Sequence, residues 1–180
     1  MADAVSGTES LREKLKTVLG EGLLLTAQDD MQRYCSDWHG DVKSSAVAVI
    51  RPRSTEDVAA AVRVCAELGL AIIPQGGNTG LVLGGTPDDP DRQVVMSLER
   101  MNAIRAIDAD DFSAVVEAGC ILSEFKDAVA EKGMFFPLSL GAQGSCRIGG
   151  NVSSNAGGIN VLRYGMTREL VLGLEGVLPD

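Results

Sequence analysis

Two glycine-rich stretches are the parts of this sequence best suited to binding chemistry. Eleven of the 21 glycines lie in residues 74–85 and 141–158, which together make up a sixth of the chain. Glycine has no Cβ and adopts positive φ at little cost, so backbone N–H groups in such stretches can approach a ligand closely. Oriented backbone N–H groups bind phosphate. The pattern therefore predicts two main-chain sites for a ligand that carries phosphate groups.

The side-chain charges in both stretches also favour main-chain donors. Residues 74–85 contain no Lys or Arg, and residues 141–158 contain only Arg147, which could contact phosphate or solvent. The P-loop pattern is absent, because neither stretch has a Gly-Lys pair. No G-x-G-x-x-G follows the first predicted strand, where Arg51-Pro52-Arg53 stands instead. The alternative is two flexible loops without a ligand, which their shared position after a predicted strand disfavours.

The composition excludes several classes of protein. A net charge of −9 opposes binding to nucleic acid, and an aromatic share of 4% leaves few rings for base stacking. The four cysteines lack C-x-x-C spacing, so neither a zinc site nor a redox motif is predicted. The N-terminus resembles no signal peptide, and no apolar run has membrane-spanning length. We therefore predict a cytoplasmic protein with no membrane span and no nucleic-acid partner.

Residues 46–73 carry the signals of a strand, a helix and a second strand. Ser54 can cap the helix N-terminus, and Gly69 can end it. We expect the strands, 46–50 and 70–73, to lie side by side and parallel, with a right-handed crossover. The first glycine stretch begins at the carboxyl end of the second strand, where open sheets bind ligands.

The other signals complete an α+β fold. The capping-box pattern Ser10-Leu-Arg-Glu13 predicts a helix that ends near Gly20, followed by irregular structure over residues 26–45. The remaining predicted elements are strand 94–98, a hairpin of 104–106 with 113–117, helix 122–132, strand 134–137 and strand 170–178. We divide the chain into a lead-in, residues 1–45, and a ligand-binding domain, residues 46–180.

Three segments resemble one flavoprotein family: Pro74-Gln-Gly-Gly-Asn-Thr-Gly80, residues 137–158, and Leu162-Arg-Tyr-Gly165. Their motifs, order and spacing resemble the FAD-binding domain of the vanillyl-alcohol-oxidase/p-cresol-methylhydroxylase (PCMH) family. The nearest branch is that of the FAD-linked D-2-hydroxyacid dehydrogenases, in particular the D-2-hydroxyglutarate type. The resemblance implies a PCMH-type domain with a small parallel β-α-β subdomain, a second mixed or antiparallel subdomain, and FAD between them.

The resemblance also implies which residues bind FAD. The first stretch would wrap the pyrophosphate, the second would run beside the flavin and ribityl chain, and Val177 would face the adenine end. A histidine at the position of Asn78 binds the flavin covalently in some members, so the resemblance implies non-covalent FAD here. The implied cofactor-binding residues are Pro74, Gln75, Gly76, Gly77, Asn78, Thr79, Gly80, Leu81, Pro137, Gly141, Ala142, Ser145, Cys146, Gly149, Gly150, Asn151, Asn155, Gly157, Gly158 and Val177.

The function implied by the resemblance is oxidation of a D-2-hydroxy acid to the 2-oxo acid. Hydride would pass from the α-carbon to flavin N5 while a base removes the hydroxyl proton. In the family a second domain supplies the substrate pocket, and in this branch it also holds a metal through histidines; the 180 residues contain no counterpart of it. We therefore expect an incomplete FAD-binding domain that is inactive alone, with no catalytic residue and no metal ligand assigned.

Two single residues have plain interpretations. His39 fits a solvated loop residue better than a catalytic base, and Cys146 fits a small packing residue better than an oxidation-sensitive thiol. The alternative function for the chain as a whole is a non-catalytic flavin- or nucleotide-binding module within a larger assembly.

Overall fold

The computed structural model describes residues 2–179, with side chains from Gly7 onward. The chain divides into two compact units, Met1–Arg100 with Gly176–Asp180, and Met101–Glu175. The first unit contains a four-stranded sheet in which two of the three pairings are parallel, and the second contains a two-stranded antiparallel sheet. The predicted α+β class is confirmed.

The first unit contains three helices, α1 (Ala2–Leu19), α2 (Gln28–Met31) and α3 (Thr55–Leu68), and four strands, β1 (Leu24–Leu25), β2 (Val49–Ile50), β3 (Ala71–Gln75) and β4 (Gln93–Ser97). It also has two 3-10 turns, Glu21–Leu23 and Gln32–Tyr34. The second unit contains β5 (Ile104–Asp108), β6 (Ser113–Val116), α4 (Leu122–Ala130), α5 (Ile148–Ser153), α6 (Val161–Tyr164) and a 3-10 turn, Thr167–Leu170.

Strand β4 lies inside the first sheet, whose order is β1-β2-β4-β3. It is parallel to both β2 and β3, while β1 pairs antiparallel with β2. The predicted parallel direction is confirmed, but the prediction that strands 46–50 and 70–73 are neighbours is wrong. Val94 and Val95 are fully buried, whereas Ala71 and Pro74 of β3 are exposed. The more apolar strand takes the inner position because inner strands of parallel sheets are covered on both faces.

Helix α3 forms where the sequence predicts it. The Ser54 hydroxyl accepts a hydrogen bond from Asp57 N at 3.2 Å, and the helix ends at Gly69, whose φ of 65° is left-handed. Its buried side chains join the core of the first sheet: Ala61, Val64 and Cys65.

Helix α1 begins earlier than the capping-box pattern predicts. Ser10 lies inside the helix, and the Glu13 carboxylate accepts from Lys16 Nζ at 2.8 Å. Leu15 is fully buried in the core, and Arg12 Nε donates to Val47 O at 2.8 Å. A capping box stabilises a helix start only where no helical turn precedes it, and here preceding turns continue the hydrogen-bond ladder.

The hairpin predicted at 104–117 is confirmed as β5 and β6, with a register shift between Ile104 and Ala106. Its apolar face packs with helix α4 through Phe125 and Val129. The rings of Phe125 and Phe136 lie 4.8 Å apart, edge to face. The predicted helix 122–132 is thereby confirmed, ending two residues early at Ala130.

Two predicted strands, 134–137 and 170–178, are not found in the described part of the chain. The second segment follows a 3-10 turn and exposes Leu172 and Leu174. An apolar run predicts extended backbone, but a strand also requires a partner with which to form ladder hydrogen bonds. No described strand pairs with either segment. The sequence pattern likewise misses α5 and α6, which span six and four residues.

Candidate functional site

The first glycine loop leaves the carboxyl end of β3 with its main-chain donors free. Gln75 is the last paired residue of the strand, opposite Ser97. From Gly76 to Gly85, no backbone N–H donates to an acceptor in the described residues. Because these residues are half-buried or exposed, their N–H groups are open to a ligand or to solvent. Such a run suits an anionic ligand that only accepts hydrogen bonds, as phosphate does.

The Gln75 side chain closes the loop. Its Nε2 donates to Tyr34 O at 2.9 Å and to Gly85 O at 2.8 Å. The residue is 5% exposed. One amide thus joins the two ends of the loop to each other and to the 3-10 turn Gln32–Tyr34.

Asn78 fixes the middle of the same loop. Its φ is 52°, in the left-handed region that Asn tolerates better than most residues, and its Nδ2 donates to Ser36 O at 2.7 Å. The other predicted residues here differ in exposure. Gly76, Gly77 and Thr79 are half-buried, and Pro74, Gly80 and Leu81 are exposed.

A charged cluster that the sequence analysis does not predict supports Tyr34. The Tyr34 hydroxyl bonds to the carboxylate of Glu99, which also accepts from Arg33 at 2.9 Å and pairs with Arg51 at 3.5 Å. Burial, followed by the Glu99 carboxylate, raises the pKa of Tyr34. Burial opposes ionisation of Glu99, but the Tyr34 hydroxyl and both arginines outweigh it and lower its pKa. The sequence feature that could have revealed this cluster is the position of Glu99 and Arg51. Each residue stands just beyond the carboxyl end of a parallel strand.

The second glycine loop contains glycines that close packing requires. A Cβ on Gly149 would lie 2.7 Å from Ala118 Cβ, and its N–H donates to Ala118 O at 2.8 Å. Gly158 has φ 85°, and a Cβ there would overlap Ser139 O. These two glycines hold the loop against the rest of the second unit.

Other main-chain groups of the second loop remain free to bind. Within residues 2–179, no acceptor receives the N–H groups of Gly141, Ala142, Gly144, Gly150, Gly157 and Gly158. No Cβ contact within 4 Å restricts Gly141, Gly144 or Gly150. The second loop therefore offers the same donor chemistry as the first, in a less continuous run.

Side chains of the second loop are used mainly within the protein. Cys146 is buried between Leu122 and Leu138, and burial raises the pKa of its thiol, which fits a packing role. Arg147 donates to Gly119 O rather than facing solvent alone. Asn155, with φ 48°, accepts from Arg168 N at 3.0 Å.

The remaining predicted cofactor-binding residues differ in their burial and in their hydrogen bonds. Pro137 O accepts from Asn160 Nδ2 at 2.8 Å, and Ser145 is exposed. Asn151 is 4% exposed, and its Nδ2 has no hydrogen-bond partner in the described chain. Val177 is half-buried and belongs to the first unit. The individual cofactor contacts of all these residues stay predictions.

His39 and groups of possible metal ligands are the other features that could carry chemistry. His39 is exposed in a turn in which Asp37 accepts from the backbone N–H groups of His39 and Val42. No group of three or more His, Cys, Asp or Glu side chains in residues 2–179 could hold a metal ion. None of the described helices combines the length and apolar character needed to cross a membrane.

Residues 46–180 match the family described as FAD binding domain. The chain belongs to this family. FAD is therefore the cofactor of the domain, as the resemblance of the two glycine-rich stretches implies. The unpaired N–H groups of the first loop suit the oxygens of its pyrophosphate, because phosphate oxygens accept hydrogen bonds.

The curated relatives are about three times as long as the matched part. The mitochondrial D-2-hydroxyglutarate dehydrogenase of Bos taurus is 44% identical over 159 residues, covering 88% of this chain and 29% of the relative. The mitochondrial enzyme of that name from Arabidopsis thaliana is 41% identical over 165 residues, covering 92% and 29%. The D-2-hydroxyglutarate dehydrogenase of Stutzerimonas stutzeri is 36% identical over 168 residues, covering 93% and 36%.

Solved structures confirm the fold. An alkyldihydroxyacetonephosphate synthase superposes with a TM-score of 0.83, at 19% identity, covering 94% of this chain and 33% of that chain. A p-cresol methylhydroxylase with bound substrate gives a TM-score of 0.65, at 24% identity, covering 86% and 30%. The predicted PCMH-type fold, with a parallel sheet and a separate antiparallel sheet, is thereby confirmed.

Proposed function

We propose that this chain is the FAD-binding part of an enzyme that oxidises a D-2-hydroxy acid to the 2-oxo acid. The carrying observation is the run of unpaired N–H groups from Gly76 to Gly85 in a domain of the FAD binding family. The D-2-hydroxyglutarate dehydrogenases at 36–44% identity support the substrate class. The chain spans about a third of their length, so the whole reaction is part of the proposal.

Within this proposal, the residues of the chain bind and orient the cofactor. Bound FAD would supply the two-electron acceptor for hydride from the substrate α-carbon. The first loop would hold the pyrophosphate through its main chain, and the second would hold further acceptor atoms in the same way. Because the donors are fixed on the backbone, phosphate would be neutralised with little contribution from Lys or Arg.

The groups that act on the substrate are proposed to lie outside the described residues. Oxidation at the α-carbon requires a base near the hydroxyl and a cation for the carboxylate. His39, the one histidine of the sequence, lies in an exposed turn. Relatives of about three times the matched length have room for such groups.

A direct test is reconstitution of the purified chain with FAD. We expect flavin absorbance to co-elute with the protein on gel filtration, and FAD fluorescence to change saturably on titration. Titration with FMN, which lacks the pyrophosphate, is the matched control and should show weaker binding. Equal affinity for FMN and FAD would contradict the role given to the first loop.

The substrate class is tested with the complete protein that contains this chain. We expect D-2-hydroxyglutarate or D-lactate to reduce its bound flavin under anaerobic conditions, and the L-enantiomers to do so far more slowly. Flavin that binds but is reduced by none of these acids would favour the alternative, a non-catalytic flavin-binding module.

We further propose that the FAD is non-covalent, because Asn78 has no nucleophilic ring nitrogen with which to bond the flavin. Denaturing the reconstituted chain with acid and removing the precipitate should leave all the flavin in the supernatant. Yellow colour retained by the washed precipitate would show a covalent bond.

The compartment is a separate question. The cytoplasmic location expected from the N-terminal composition has no support among these relatives, two of which are named as mitochondrial. Fractionation of cells that express the complete tagged protein would decide between the two compartments.

A further inference from the structure

The side chains of Gln75 and Asn78 connect the first glycine loop to the segment Tyr34–Ser36, outside residues 46–180 that match the family. We propose that both are positioning residues, which hold the loop in its FAD-binding conformation before the cofactor arrives. We call this pair of contacts the loop brace. The proposal rests on the FAD-binding assignment and specifies how affinity is produced.

The first part of the loop brace is the buried Gln75 amide. Its Nε2 donates to carbonyls of Tyr34 and Gly85, the first 41 positions earlier in the chain. An amide has two N–H groups, so the side chain has no donor left for a phosphate oxygen. Gln75 therefore acts on the ligand through the loop that it closes.

The second part is Asn78, whose Nδ2 donates to Ser36 O at 2.7 Å. Its left-handed φ turns the chain at the middle of the loop. A Cβ placed on Gly85 would lie 3.1 Å from Asn78 Oδ1 and 3.8 Å from Gln75 Cγ. The side chains of Gln75 and Asn78 therefore both lie close to Gly85, and together they fix the base of the loop.

The segment that receives the loop brace is itself held in place. Tyr34 is 3% exposed, and its hydroxyl bonds to Glu99, which also pairs with Arg33 and Arg51. Cys35 is 1% exposed and packs in the same apolar cluster as Tyr34. The carbonyls of Tyr34 and Ser36, which accept from the loop brace, therefore belong to a segment that is held in place by packing and ion pairs.

A preformed loop increases affinity because the ligand does not have to order it. Fixing a residue's backbone costs conformational entropy, and unbraced loop residues would incur that cost on binding. If the two amides instead contacted phosphate directly, the loop without FAD would not depend on them. The two explanations therefore predict different effects of the substitutions on the loop in the FAD-free protein.

The test compares Gln75→Met and Asn78→Gly in the 180-residue chain. Met keeps the length of Gln without donors, and Gly permits the positive φ of Asn78. Gln32→Met is the matched control, because Gln32 is exposed and its side chain makes no hydrogen bond among the described residues. FAD affinity is measured by fluorescence titration, and the loop is monitored by amide resonances of Gly76–Gly85 without FAD.

We expect Gln75→Met to weaken FAD binding by about tenfold or more, and Asn78→Gly by about threefold to tenfold, on the scale of lost hydrogen bonds. Both should shift and broaden the loop amides in the FAD-free chain, while Gln32→Met leaves them unchanged. Reduced FAD affinity with unchanged FAD-free loop amides would indicate direct contact and overturn the proposal, as would unchanged affinity in both variants.

Two further outcomes distinguish failure of the loop brace from failure of the variant to fold or of the FAD-binding assignment. If Gln75→Met does not fold, Asn78→Gly decides alone, since Asn78 is half-buried and lies outside the apolar core. If the unmodified chain binds no FAD, the FAD-binding assignment fails and the loop brace with it. Normal FAD binding by the unmodified chain and by both variants rejects the loop brace only.

Discussion

At the scale of single residues, the glycines of the second loop serve two different purposes. Gly158 and Gly149 are required by packing, because a Cβ on either would collide with Ser139 or Ala118. Gly141 and Gly144 have open space around the Cβ position and free N–H groups. Glycine density in a sequence predicts a ligand loop but cannot separate these purposes, since the collisions involve residues that are distant in sequence.

Gly158→Ala should therefore destabilise the second unit. The new Cβ would overlap Ser139 O, and the φ of 85° is unfavourable for alanine. We expect the free energy of unfolding to fall by about 1–3 kcal/mol, the scale of a strained backbone site. Urea denaturation measures it, with Gly144→Ala as the control in open space. Equal stability of the two variants would show that the Ser139 contact relaxes without cost.

At the scale of elements, the sequence predicts what local signals determine. Ser54 and Gly69 mark the ends of α3, and alternating apolar residues mark the β5–β6 hairpin, because caps and short turns act on nearby residues. The insertion of β4 between β2 and β3 depends on how three separate strands share burial. The loop brace escapes prediction for the same reason, since Gln75 and Tyr34 are 41 positions apart.

The link between β4 and the turn Gln32–Tyr34 gives a prediction about pH. Glu99→Gln removes the carboxylate that Arg33 and Arg51 share, and should cost about 1–2 kcal/mol of stability at about pH 7, given partial solvent screening. The fold lowers the pKa of Glu99, so its stabilisation is complete above the ordinary value of 4.5. It is lost as pH falls through the lower folded value.

The measurement is urea unfolding of the native chain and of Glu99→Gln from about pH 7 to below 4.5. The difference between them should shrink at the acid end. Glu67→Gln, at an exposed helix position, is the control for removing a carboxylate. A stability difference that stays constant across this range would show that ionised Glu99 does not support the turn.

At the scale of the whole molecule, both units of the chain contain main-chain groups suited to cofactor binding. Its two units each contain one glycine loop rich in free N–H groups. Neither unit offers, among its described residues, a cluster that could hold a metal.

The chain reconstituted with FAD should therefore not oxidise a 2-hydroxy acid. Under anaerobic conditions, D-2-hydroxyglutarate and D-lactate should leave its visible flavin absorbance unbleached, because oxidation at the α-carbon requires a base and a carboxylate-binding cation, which we propose to lie outside the described residues. Dithionite should bleach the same sample, which shows that the bound flavin is reducible. Bleaching by the acid at a catalytic rate would place the base within these 180 residues. His39→Gln would then be the first variant to examine, because His39 is the one histidine of the sequence. Its turn is exposed, so His39 could act as the base only if substrate binding reorganised that turn.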